Sequence, residues 1–167
     1  YKGEWTQVLC QRFVRVYVFE PQAAYASILV QRFPMAVVMN AALMDQSGKG
    51  RFILPPRTQK VPYTDRSATI VCDASGDVAM VRLDDLHIMG LGLIKLNVEG
   101  CEPLVLEGAR NLLARDGPVV IMEESNPKKL PDQYKRSPEQ ARNLLMAIGY
   151  RQVAREGHDT VWSKKRT

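Results

Sequence analysis

LIKLNVEGCEPLVLEGARNLLARDGPVVIMEE, Leu93 to Glu124, decides the fold. Leu93, Ile94, Leu96 and Val98 make an apolar strand that stops at Glu99-Gly100. Val105, Ala109, Leu112 and Leu113 then recur at i, i+4, i+7 and i+8, the spacing of one face of an amphipathic helix. Asp116-Gly117-Pro118 stops that helix, and Val119–Met122 is a near-continuous apolar run, as in a strand covered on both faces. Strand, crossover helix and parallel strand form a right-handed unit with both strand ends at one edge of the sheet. Open α/β sheets bind ligands at that edge. Asn97, Glu99, Glu123 and Glu124 are therefore expected to gather at a candidate site.

Upstream, the same rhythm repeats. Trp5, Val8 and Leu9 follow helical spacing, and Val14–Phe19 is a β-branched and aromatic strand broken by Pro21. A helix over Ala23–Gln31 and a short strand over Ala36–Met39 follow. Helix, strand, helix, strand with short joins predicts an α/β sheet. Asp45–Gly50 is turn chemistry before a strand at Arg51–Leu54, and its Gly-Lys pair lacks the spacing of a phosphate loop. Residues 55–76, polar and proline-containing, are expected to be a mobile excursion. Val78–Leu83 returns as a strand, and Asp84 is a helix cap, a turn residue or a functional acid.

Downstream, Ser137-Pro138-Glu139-Gln140 is a helix start, with Ala141, Leu144, Leu145 and Ile148 as its buried stripe and Gly149 as its stop. Arg151–Ala154 and Thr160–Ser163 are expected to close the sheet as an antiparallel hairpin.

With 167 residues the chain suits one domain, and 46% hydrophobic with 25% charged residues places it among ordinary globular chains. No apolar run approaches the length of a membrane span. Cys10, Cys72 and Cys101 have no metal-ligand spacing and suit a reducing compartment, so the expected location is cytoplasmic. His87 and His158 are isolated, and no metal site is expected. The net charge of +5 raises the question of an anionic partner, but the basic residues are scattered apart from Lys128-Lys129 and Lys164-Lys165-Arg166. That pattern disfavours nucleic acid as a partner.

Glu20, at the end of a strand and seventeen residues after Gly3, has two readings. It either caps the next helix or is simply solvated, or it accepts hydrogen bonds from ribose hydroxyls, near the offset of roughly 20 residues seen in dinucleotide folds. Ala41 and Ala42 either leave room for a flat base or are packing alanines.

The stretch Leu93–Ala109 resembles the I-K-I-D-V-E-G-x-E-x-x-V-L-x-G-A signature of FkbM-type S-adenosylmethionine-dependent methyltransferases. Phe19-Glu20-Pro21, Asn40-Ala41-Ala42-Leu43, Val81–Leu86 and Pro118–Glu123 fall in the order of that family, so the resemblance covers most of the chain. It implies a Rossmann-like α/β fold: a mostly parallel sheet, helices on both faces and a C-terminal antiparallel hairpin. It implies one methyltransferase-like domain over 1–167, N-terminally incomplete, because only Gly3 matches the tail of the D-x-G-A-x-x-G turn expected before the first helix. S-adenosylmethionine is the implied cofactor, with Gly3, Glu20, Asn40, Ala41 and Asn97 as its contacts and Glu20 on the ribose. Asn97, Glu99 and Glu123 are the implied catalytic residues. The implied reaction is O-methylation of a small-molecule, sugar or lipid-like acceptor. Methyl transfer needs donor and acceptor held in line, and a base for a hydroxyl proton contributes roughly 10²–10⁴-fold.

Asn97 departs from the family, which has aspartate there; an amide can orient a ligand but cannot take a proton. A non-catalytic methyltransferase-like binding domain is the alternative. A nucleic-acid methyltransferase is the third reading, without the aromatic motif that would stack an extruded base.

Overall fold

The computed structural model describes residues 3–53, 68–124 and 136–164. In chain order its elements are α1 (Glu4–Cys10), β1 (Tyr17–Phe19), α2 (Ala23–Arg32), β2 (Val37–Met39), β3 (Ala42–Leu43), β4 (Gly48–Ile53), β5 (Thr69–Cys72) and β6 (Val78–Val81). A 3-10 turn at Leu83–Leu86 leads into β7 (Leu93–Leu96), α3 (Glu102–Glu107), α4 (Arg110–Asp116), β8 (Val119–Glu123), α5 (Pro138–Ala147), β9 (Tyr150–Glu156) and β10 (Asp159–Lys164).

β7 and β8 pair in parallel, from Leu93 opposite Val119 to Leu96 opposite Met122. Because strand side chains alternate, this register puts Ile94, Leu96, Val120 and Met122 on one face. All four are buried, with Thr160 and Trp162 of β10, and they pack against Val105, Leu112, Leu113, Ala141 and Leu145 of the helices. Each large side chain so buried contributes roughly 1.5–3 kcal/mol. This is the main core, and it fixes the strand ends that carry the site.

Two expectations change. The α/β class holds, but the sheets are mixed rather than mostly parallel. β1–β2, β3–β6 and β7–β8 are parallel, whereas β4–β5, β4–β6, β8–β10 and β9–β10 are antiparallel. The reason is local: β4 and β6 pair without a crossover helix between them, and β9 and β10 form a hairpin through Gly157 at φ +58°. β5 also places a strand inside the expected excursion; residues 54–67 lie outside the described residues.

The single expected crossover helix is two short ones. Gly108 lies so close to the chain at Met44 that a Cβ there would stand 2.0 Å from the Met44 carbonyl oxygen. The Asp84 N–H donates to the Gly108 carbonyl at 2.9 Å, and the Asp84 carboxylate accepts from the Asn111 and Leu112 N–H groups at 3.1 and 2.9 Å. The helix is thus interrupted by a crossing chain and restarted with a cap supplied from far away in sequence. Among the open roles of Asp84, helix capping is the one its contacts display.

Ser137 caps α5 as expected, its Oγ accepting from the Glu139 N–H at 3.1 Å. The β1–β2 ribbon does not pair with β7. An apolar cavity of about 390 Å³ lies between them, lined by Val16, Phe19, Ile88, Leu91 and Leu93 among others.

Candidate functional site

Glu20 follows the end of β1, Asn97 follows β7, and Glu123 ends β8. These ends converge on a cleft of about 630 Å³. Gly3, Glu20, Asn97, Glu99 and Glu123 all line it, together with Tyr25, Ala42, Leu43, Met44 and Phe52. Asn40 and Ala41 do not. Ala41 is buried, and the Asn40 amide turns away to donate to the carbonyls of Glu20 and Pro21 at 2.9 and 3.0 Å. Asn40 therefore holds the turn that presents Glu20, while Ala42 and Leu43, one and two residues beyond Ala41, reach the cleft wall.

The Glu20 carboxylate accepts the Gln22 N–H at 2.8 Å, just before α2 begins at Ala23. It is half-buried, and burial pushes its pKa above the ordinary 4.5, a rise that the Gln22 hydrogen bond only partly offsets. The contact at the start of the next helix is thus present, and the same residue lines the cleft. Gly3 is glycine for packing reasons. It holds φ +77°, and a Cβ would come within 2.4 Å of the Phe33 ring and 2.8 Å of Leu29.

Extended geometry ends at Asn97. Glu99 adopts φ +50° and Gly100 φ +90°, so Glu99 reaches the cleft from a tight turn instead of continuing the alternation of Lys95 and Asn97. The buried Glu102 folds back over this turn, accepting from the Val98 and Gly100 N–H groups at 3.3 and 3.4 Å. Glu124 is a further correction, since it leaves the site. Only 5% of its side chain is exposed, and its oxygens accept from Arg142 at 2.8 and 2.6 Å with Arg155 at 3.2 Å. Burial alone would raise its pKa, but the two guanidinium groups outweigh that and hold it below the usual carboxylate value.

Lys95 and Trp5 line the cleft beside the expected residues, and Asp159 is linked to it through its ion pair with Lys95. Lys95, with 7% of its side chain exposed, donates to Asp159 at 2.5 Å and stands 5.1 Å from the centre of the Trp5 ring. Trp5 lines the cleft as Lys95 does, and Asp159 sits directly opposite Glu123 in the β8–β10 ladder. The period-two pattern could have placed Lys95; nothing local in the sequence links it to residues 5 and 159. Among the described residues the cleft lining carries four carboxylates (Glu4, Glu20, Glu99 and Glu123) against the single ammonium of Lys95, in a chain of net charge +5. Such a cleft favours a cationic ligand. Among the described residues no group of three His, Cys, Asp or Glu could hold a metal ion, and His87 and His158 are exposed. No helix among them is long and apolar enough to cross a membrane.

The chain is an α/β domain with an acidic cleft at the ends of its parallel strands, and comparison with known proteins narrows the class. Residues 1–152 match the family described as the Methyltransferase FkbM domain, and the chain belongs to that family. The fold is similar to a crystal structure of methyltransferase FkbM from Methylobacillus flagellatus KT, with TM-score 0.55 and 19% identity. The match covers 95% of this chain and 38% of that one, so the chain spans well under half the length of its structural neighbour. No curated protein matches the chain.

Proposed function

We propose that this domain is an S-adenosylmethionine-dependent methyltransferase that methylates a hydroxyl oxygen of a small-molecule, sugar or lipid-like acceptor. The observation that carries the reading is the convergence of Gly3, Glu20, Asn97, Glu99 and Glu123, from separate stretches of the chain, on one acidic cleft. The donor set suits the cofactor. A carboxylate at a strand end suits a ribose diol, the Ala42 and Leu43 wall suits a flat base, and the surplus of carboxylates suits a cationic molecule. When bound, the cofactor supplies an electrophilic methyl group on a sulfonium.

The chain's own residues then position and deprotonate. Glu20 accepts from the ribose hydroxyls and fixes one end of the ligand. The Asn97 amide orients the amino-acid end or the acceptor, and takes no proton itself. Glu123, at the end of β8, is the carboxylate placed to receive the acceptor's proton, with Glu99 entering from the turn on the same cleft. Asn97, where the family has aspartate, is the observation that favours a second reading, a binding domain without transfer activity. The acidic lining disfavours a nucleic-acid substrate.

Calorimetric titration with S-adenosylmethionine and S-adenosylhomocysteine tests the first step. Saturable one-to-one binding is expected; a folded chain that binds neither refutes the proposal. Transfer of labelled methyl to a hydroxylated acceptor then separates the enzyme from the binding domain.

A further inference from the structure

Asn97, Val98, Glu99 and Cys101 line the cleft, and the buried Glu102 that follows them does not. These four residues reach the wall through one tight turn. The Cys101 N–H donates to the Val98 carbonyl at 3.1 Å, and both central residues are left-handed, Glu99 at φ +50° and Gly100 at φ +90°. Two positive φ values in succession are the pattern of a type I′ turn, which favours glycine, asparagine and aspartate. Gly100 fits it. Glu99 carries a long side chain into a region such residues rarely adopt, and a conformation of that kind persists only where its surroundings impose it. Glu102 imposes it. Its Oε1 accepts from the Val98 N–H at 3.3 Å and from the Gly100 N–H at 3.4 Å, so one oxygen gathers the two amides that flank Glu99. Those donors also offset the cost of burying a carboxylate at 5% exposure.

We infer that Glu102 is a positioning residue of the site: by holding the Val98 and Gly100 amides it sets the direction in which Asn97 and Glu99 enter the cleft. Asn97 immediately precedes the first held amide and Glu99 lies between the two, so both side chains turn with the peptide units that Glu102 fixes. Groups preset in this way lose less freedom when a ligand arrives, and a displacement of about 1 Å in such a group is enough to cost binding or rate. Glu102 itself touches no ligand. This role rests on the methyltransferase reading, which makes Asn97 and Glu99 contacts of the bound molecules.

The test combines amide hydrogen exchange, read residue by residue by NMR, with calorimetry of S-adenosylhomocysteine binding, on the parent chain, Glu102→Ala and Glu102→Gln. In Glu102→Ala the Val98 and Gly100 amides are expected to exchange roughly tenfold faster or more, while protected amides of the β7–β8 ladder stay within about twofold of the parent. Affinity for S-adenosylhomocysteine is expected to fall by roughly tenfold or more in Glu102→Ala and by less in Glu102→Gln, which keeps one neutral acceptor for the two amides. A merely structural role would speed exchange throughout the sheet and leave the folded fraction binding as the parent does. Parent-like affinity in a folded Glu102→Ala overturns the inference, as does unchanged exchange at Val98 and Gly100. Should Glu102→Ala fail to fold, Glu102→Gln decides by the same two readouts. A parent chain that binds no S-adenosylhomocysteine sinks the methyltransferase reading, and the exchange at Val98 and Gly100 then judges the hold on the turn by itself.

Discussion

Substituting Glu20 by glutamine separates what this carboxylate does for the ligand from what it does for the fold. The side chain is half-buried, and desolvation raises its pKa above 4.5 despite the Gln22 N–H bond at 2.8 Å. The folded state therefore binds its proton more tightly than the unfolded chain does. By linkage, stability falls as pH rises from the unfolded value through the raised folded one, and at neutral pH the ionised group is a net burden on the fold. The substituted amide keeps the shape and one acceptor for the Gln22 N–H without the charge, so Glu20→Gln is expected to raise the melting temperature slightly at neutral pH. Ligand affinity moves the other way. A hydrogen bond to a charged group is worth roughly 1.5–3 kcal/mol and one to a neutral group about half that, so replacing two charged ribose contacts weakens binding by roughly 10- to 100-fold. Acidification mimics the substitution: parent affinity for S-adenosylhomocysteine falls as pH drops through the raised Glu20 value, and Glu20→Gln loses that dependence. Calorimetry and thermal melts on the same samples read both effects. Unchanged affinity in Glu20→Gln would show that the carboxylate does not touch the ligand.

Two stability predictions test the scaffold behind the site. Arg142→Met leaves the buried Glu124, among the described residues, with Arg155, and should lower stability in urea by about 2–3 kcal/mol, less than the roughly 3–5 of a fully buried pair because Arg142 is 33% exposed. Glu124 has a lowered folded pKa, so its stabilisation is present above 4.5 and lost as pH falls through the lowered value; the Arg142→Met deficit should shrink over that window, and a deficit that ignores pH would refute the pairing. Gly108 has φ −70°, a conformation where alanine normally helps, yet the Cβ of Gly108→Ala would meet the Met44 carbonyl oxygen at 2.0 Å. That variant should lose about 3 kcal/mol or more of stability, and a neutral or raised urea midpoint would contradict the packing of α3 and α4 against this chain.

The core was legible where burial imposes a period. Ile94, Leu96, Val120 and Met122 belong to the apolar runs read as strands and face the core in the structure, and Val105, Ala109, Leu112 and Leu113 keep one face although their helix is broken. The break was illegible because its cause is a crossing chain at Met44, which no local pattern announces. Glycine at 108 reads as a weak helix former; only the fold makes it a contact. The mixed sheets escaped for a related reason. A β-branched run fixes that a strand exists, while its direction depends on whether the connection is a crossover or a tight return.

The site shows the same division with sharper consequences. Strand ends pointed to one edge of the fold, and Glu20, Asn97 and Glu123 do reach one cleft from three strands. What strand ends cannot tell is which of several polar neighbours turns inward. Glu123 and Glu124 are adjacent and chemically identical, yet alternation sends the first to the cleft and the second to Arg142 and Arg155. Asn40 likewise satisfies its amide on the carbonyls of Glu20 and Pro21, which keeps it off the cleft wall and makes it a brace for the turn that carries Glu20. Lys95 meets Asp159 across 64 positions of sequence, and through Trp5 it ties the first helix to the last strand. Arg142 and Arg155 are thus paired with Glu124 and do not line the cleft, whereas Glu4, Glu20, Glu99 and Glu123 do. A net charge of +5 is compatible with an acidic site because these cations are engaged elsewhere. Total charge consequently says little about the ligand, and the distribution over strand ends says most of it.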